Sequence, residues 1–265
     1  MIMVEIRKKT EDILELLYLF AFILYIGFFF LGNTMFQIDW PQFFYSDLRT
    51  FITGIILVRA ACSKQYKTWE AVTVLALYLL FSMAYARNGY GEYMYLLVLV
   101  IGAKGISLKK LIKIYAAVTA VLLLITIGAA LSGYIDNLTY YQEGRRTRYA
   151  FGANYPTDFS AMIFYLLLAW FYIRGKSLKY IEIGFACFLG VFVYWFCDAR
   201  LNTICILGTC LLFAGHKIFM ARAEKKQKEY QIAKPVSILL ILSGILCGIL
   251  MTGLTILYTP NNPVI

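Results

Sequence analysis

Apolar runs about as long as a bilayer is thick recur along the whole chain, and no other feature limits its fold so severely. Nine can be marked in the 265 residues, at about 13–31, 50–62, 69–86, 91–103, 114–132, 157–173, 180–197, 201–219 and 236–258. A membrane-spanning helix takes roughly 17–25 mostly apolar residues. The expectation is an all-α, polytopic helical membrane protein with about nine transmembrane helices, forming a single integral membrane domain over residues 1–265. The second and fourth runs are short, which implies tilting, partial re-entry or extension into the flanking loops. Composition excludes a soluble domain: 61% of residues are hydrophobic and only 15% charged. The first run begins near Ile13 and no small-residue cleavage site follows it, so it reads as a first span rather than a cleaved signal peptide.

Lysine and arginine set the expected orientation. With the N-terminus in the cytoplasm, 19 of the 25 basic residues fall on the cytoplasmic side, including a basic loop at 220–235. Six fall outside: Arg49, Arg87, Arg145, Arg146, Arg148 and Arg200. All the lysines lie inside, and every external basic residue is an arginine. Charge sorting alone predicts fewer positive charges outside, not a change of residue type. Arginine is suited to bidentate binding of phosphate or carboxylate. The net charge of +10 follows from the positive-inside bias and attraction to anionic lipid, and needs no nucleic acid.

In this topology residues 133–156 form the longest external loop, GYIDNLTYYQEGRRTRYAFGANYP. Arg145, Arg146 and Arg148 fall within four positions. They would place a strong positive field at the mouth of a helix bundle, suited to a multiply charged anion such as a lipid pyrophosphate. Tyr149 and Tyr155 are candidates to stack on sugar rings, although aromatic rings at this depth also form the ordinary interfacial belt. Gly144, Gly152 and the Tyr155-Pro156 step suggest a structured turn, with Pro156 near the first position of the sixth helix. Asp158 in that first turn suits the helix dipole. A second external segment, YWFCDARLNT (194–203), puts Asp198 and Arg200 near the membrane surface, as a functional pair or a structural ion pair. Arg49, near Asp47, and Arg87 add further external charge. The sequon at Asn137 carries no weight. The six cysteines lie in or beside apolar runs without ligand spacing, and His216 is the single histidine, so no metal site is expected.

On these residues the chain resembles the Wzy-type O-antigen and capsular polysaccharide polymerases of the O-antigen polymerase/ligase superfamily. The features are the arginine-bearing external loop, RYAFGANYPTDFS opening a helix (148–160), and the short turn with DARLNT, clearest over roughly 100–260. The resemblance implies a membrane glycosyltransferase of C-type (GT-C-like) architecture in the bacterial plasma membrane. It would polymerise undecaprenyl-pyrophosphate-linked oligosaccharide repeat units into capsular, exo- or O-antigen polysaccharide at the external face, without a cofactor. Chain-length regulator and flippase proteins are its implied partners, alongside membrane lipids. The implied catalytic residues are Arg148, Arg200 and Asp198, with Arg145, Arg146, Arg49, Arg87, Tyr149 and Tyr155 binding substrate. Many relatives carry a histidine-proline-asparagine-like step where this chain has Tyr155-Pro156-Thr157, so a histidine mechanism does not apply. Relatives also continue beyond the last helix, so the expectation here is a C-terminally truncated polymerase. The competing expectations are a flippase or transporter for lipid-linked oligosaccharide, and an inactive remnant.

Overall fold

The long apolar runs become helices whose ends reach past them into polar flanks. The computed structural model describes residues 2–36, 42–62, 67–88, 92–141, 143–144, 146–224, 242 and 246, and the chain is mostly helical, at 81%. Eight helices are described: α1 (Ile2–Gly32), α2 (Gln42–Cys62), α3 (Thr68–Asn88), α4 (Glu92–Gly102), α5 (Leu108–Leu131), α6 (Pro156–Arg174), α7 (Tyr180–Cys197) and α8 (Arg200–Glu224). α1 begins well before the expected 13 because its polar N-terminal turns are built from good helix formers. α5 starts at Ser107, whose hydroxyl accepts from the Lys110 amide at 3.3 Å. α6 starts at Pro156, where the missing amide proton costs nothing. The chain divides into two compact units, Met1–Cys210 and Leu211–Ile265; all that follows concerns the first.

Five helical segments are long and apolar enough to cross a membrane: Lys9–Gly32, Leu108–Leu131, Pro156–Ser177, Tyr180–Cys197 and Arg200–Phe219. This is a multi-pass helical membrane protein. The expectation of nine spans is met at five of them among the described residues. α4 has 11 residues, and rises only about 16 Å at ~1.5 Å per residue, half of a hydrocarbon core. The apolar part of α3 is Thr68–Met83, and α2 carries Asp47, Arg49 and Arg59. The ninth expected span, 236–258, lies outside the described residues apart from Leu242 and Leu246. The basic loop expected at 220–235 is helical as far as Glu224, and its remainder is also outside them.

α1, α2, α4 and α5 share a core of Tyr18, Leu19, Ala21, Ile52, Ile56, Leu99 and Leu111. Lipid is as apolar as these side chains, so close packing and hydrogen bonds hold the helices together rather than exclusion from water. Gly102 permits the approach: a Cβ there would run into Ile56 and Tyr18. The buried Tyr18 hydroxyl donates to Leu99 O at 2.9 Å. Buried Arg59 lies over the Tyr18 ring and donates to Leu14 O at 3.3 Å and Lys104 O at 3.1 Å. Those contacts gather the start of α1, the end of α2 and the α4–α5 turn at one end of the bundle. Lys104 pairs there with Glu70, and Lys110 with Glu15 at 2.6 Å.

The other end is tied by different bonds. Asn154 donates from its amide to Asn33 O at 3.0 Å and from its side chain to Gly32 O at 3.1 Å. Met35 N donates to Gly152 O at 2.8 Å. The α5–α6 connection is thereby docked on the C-terminus of α1. It also contains a short antiparallel ribbon that the helical reading did not include: β1 (Thr139–Tyr140) and β2 (Arg148–Tyr149), with Thr139 opposite Tyr149 and Tyr140 opposite Arg148. Threonine and tyrosine favour this conformation.

Candidate functional site

The ribbon carries the arginines to the end of α7. Arg148, in β2, donates from Nε to Cys197 O at 3.0 Å. Cys197 is the last residue of α7, and the next residue, Asp198, takes a left-handed conformation (φ 46°, ψ 36°) that stops the helix. Aspartate adopts this conformation more readily than most residues. The Asp198 side chain is only 4% exposed, and its Oδ1 faces Arg200 Nε at 3.5 Å, while Arg200 itself is 64% exposed. Arg148 and Arg200 thus engage consecutive residues of one turn. Arg146, just before β2, lies over the rings of Tyr194 and Trp195 at 4.7 and 4.9 Å from their centroids. The two segments at 146–148 and 194–200, which the sequence presents separately, meet in one place.

An aromatic cluster seats the ribbon. Phe151 has φ 48°, a left-handed conformation costly for a phenylalanine. Its amide donates to Asn137 Oδ1 at 2.9 Å, and its ring centroid lies 5.0 Å from Phe159, 5.6 Å from Phe192 and 6.2 Å from Phe196. Those contacts hold the strained residue and join the ribbon to α6 and α7. Gly152 follows with φ 84°, and a Cβ there would meet Ile135 Cδ1 and Thr126 Cγ2 at 2.9 Å. The first turns of α6 and α8 are linked by Asn202, which donates to Thr157 O at 3.1 Å and also to Ser160 Oγ.

The expected site residues do not all meet. Arg146, Arg148, Asp198 and Arg200 are brought together around the 197–200 turn. Tyr149 belongs to the supporting cluster, against Phe151 and Phe196, whereas Tyr155 is exposed with its ring 5.5 Å from Tyr140. Asp158 is half-buried in the first turn of α6, with no side-chain partner among the described residues. Arg49 lies elsewhere, over Tyr95 of α4 at 5.4 Å. Arg145 and the Arg87 side chain lie outside the described residues. Sequence reasoning missed Asn137, Asn154 and Asn202, each of which fastens a loop or helix end. Asn202 had a faint signal, a polar side chain one turn into a helix that begins immediately after a tight turn.

Chemically, the site presents guanidinium groups on rigid supports at the ends of four helices. Arg146 and Arg148 have no carboxylate partner among the described residues. Such groups suit a multiply charged anion. No protein family, no curated protein and no solved structure matches the chain.

Proposed function

We propose that this protein is a Wzy-type polymerase that joins undecaprenyl-pyrophosphate-linked oligosaccharide units in the bacterial plasma membrane. In this reading the chain has a nine-span, GT-C-like architecture with its N-terminus in the cytoplasm and the arginine site outside. The observation that carries it is the convergence of Arg146, Arg148 and Arg200 on the α7–α8 turn, where a membrane-anchored pyrophosphate would present its head.

The reaction forms a bond between an acceptor sugar hydroxyl and the anomeric carbon of the growing chain. The bond from that carbon to the carrier pyrophosphate breaks, and its electron pair leaves with the phosphate. Arg148 and Arg200 stabilise the charge that builds on the leaving oxygen, more in the transition state than before it. Arg146 holds the pyrophosphate from its place on Tyr194 and Trp195. Asp198 is nearly sequestered, which suits orienting Arg200. Asp158 is the more accessible carboxylate to take the acceptor proton. Arg145, Arg87, Tyr149 and Tyr155 complete the proposed substrate-binding set, and Arg49, over Tyr95 of α4, stands apart from it.

The test is genetic. The gene is deleted from its host, the strain is complemented with the 265-residue chain, and surface polysaccharide is resolved by length on a gel. The expected outcome is loss of the polymer ladder on deletion, with material held at one repeat unit, and its return on complementation. An unchanged ladder in the deletion strain overturns the reading.

A further inference from the structure

α2, α3 and α4 enclose a half-open groove of about 650 Å³, lined by Thr53, Leu57, Val74, Tyr78, Tyr95 and Val98 among others. Its walls are almost wholly apolar. It lies beside the middle of the α1 span, because α2 and α4 pack there on Tyr18, Leu19 and Ala21. A void of this size within a membrane bundle is filled by hydrocarbon. Its shape and its rim say more about the occupant.

The wall residues on α2 run from Thr53 to Ala60 and on α3 from Ala71 to Tyr78, so at ~1.5 Å per residue the groove is about 10 Å long. Dividing volume by length gives a cross-section of about 60 Å². Carbons of neighbouring hydrocarbon chains sit about 4 Å apart at van der Waals contact, so one chain takes a cross-section on the order of 4 Å by 4–5 Å, roughly 20 Å². The groove is therefore wide enough for two or three chains side by side, and short along its axis. One end carries a cation: Arg49 is one helical turn before Thr53 on the same stripe of α2, and its guanidinium lies over the Tyr95 ring that lines the groove. At the opposite end Glu70, beside Ala71, pairs with Lys104, about one helical turn beyond Ile101.

We propose that this groove is a binding site for an anionic two-chain glycerophospholipid, its acyl chains between α2, α3 and α4 and its phosphate against Arg49. The site is separate from the arginine cluster at the α7–α8 turn and does not depend on the polymerase reading. Its role follows from the packing: among the described elements α3 touches the bundle chiefly through α4, so a lipid wedged between α2 and α3 would bridge them.

The experiment is native mass spectrometry of the full chain, extracted from vesicles of equal parts phosphatidylcholine and phosphatidylglycerol. Retention of one phosphatidylglycerol in preference to phosphatidylcholine is expected. Arg49→Gln should weaken that retention roughly tenfold or more, the size of one charge-assisted contact. Arg49→Lys should keep most of it, which separates loss of charge from misfolding. Leu57→Trp, at a half-exposed position inside the groove, should displace the lipid while leaving the protein monodisperse. Equal retention of the two lipids, or phosphatidylglycerol binding untouched by both Arg49→Gln and Leu57→Trp, overturns the proposal. Displacement of phosphatidylglycerol by an equimolar single-chain polyprenyl phosphate also overturns the two-chain assignment.

Discussion

Replacing Arg148 by lysine separates two tasks that arginine performs at once. Arg148 Nε donates to Cys197 O at 3.0 Å, at the carbonyl end of α7. A cation there is favoured by about 0.3–2 kcal/mol from the helix dipole alone. The hydrogen bond to a charged donor contributes about 1.5–3 kcal/mol. The two remaining nitrogens of the guanidinium stay available for a ligand. Lysine can take over the bond to Cys197 O, but its compact ammonium cannot then also grip a phosphate. Arg148→Lys should therefore lie within about 1 kcal/mol of the parent in stability, whereas Arg148→Ala should lose about 2–4 kcal/mol from the bond and its partly buried stem. Polymer formation should fall by about 10²–10³ in both, the usual cost of one transition-state donor. The assays are thermal melting of the purified protein in detergent and a polysaccharide gel at matched membrane levels. A parental ladder from Arg148→Lys would falsify the guanidinium role in the reaction. A Lys variant that melts as low as the Ala variant would refute the electrostatic account of the ribbon's docking.

Substitutions at three further positions probe the scaffold. Gly152→Ala forces a side chain onto φ 84° and against Ile135 and Thr126, so it should cost about 2–4 kcal/mol; an unchanged melting temperature would show that the ribbon is not seated as described. Arg59→Met keeps the buried stem but leaves Leu14 O and Lys104 O without their donor, at about 2–4 kcal/mol; Arg59→Lys should recover about half by the same measurement. Asn202→Ala removes the tie between α8 and α6, at about 1–2 kcal/mol, and should speed amide hydrogen exchange in the first turn of α6; exchange that stays slow would assign that order to the aromatic cluster instead.

Helices are legible in the sequence because hydropathy acts over long windows: the runs that become α6 and α7 match to within one residue, and the run that becomes α5 matches at its end but starts six residues late. α5 shows why its start was placed late: LKKLIK is charged, yet lysine is a good helix former and Ser107 caps the turn. α2 through α4 were harder to place because short or charge-bearing segments satisfy hydropathy only in part. The site was half legible. Arginine type and clustering pointed to residues 145–148 and to 198–200, but their meeting depends on a tertiary bond, Arg148 to Cys197 O, with a sequence separation of 49. The asparagines were illegible for a related reason. A side chain that bonds a backbone carbonyl leaves no pattern, because the carbonyl belongs to every residue type. Asn137 was even disguised by a sequon, although its oxygen accepts the amide of Phe151.

Among the described residues the two ends of the bundle treat charge in opposite ways, and this bears on why the basic residues expected outside are arginines. At the end holding the lysines, acidic partners are close by: Glu70 with Lys104, Glu15 with Lys110, and Glu182 with Arg174 at 2.8 Å. Such pairs are mutually neutralising and contribute modestly to stability. At the other end, among Arg146, Arg148 and Arg200, the first rests on two rings, the second on a carbonyl, and the third meets a carboxylate at 3.5 Å. Rings and carbonyls orient a guanidinium without cancelling its full charge. Lysine would stack less well on the rings and would give up its one ammonium to the carbonyl. The arrangement keeps the charges of Arg146 and Arg148 rigid and without a carboxylate partner among the described residues, and in the proposed topology this is the external face, where the positive-inside rule works against positive charge. A purely structural cluster would gain from a nearby glutamate, as the other end does. Orientation without neutralisation is what an anion site needs, because preorganised charge stabilises a ligand or transition state without reorganising when it arrives.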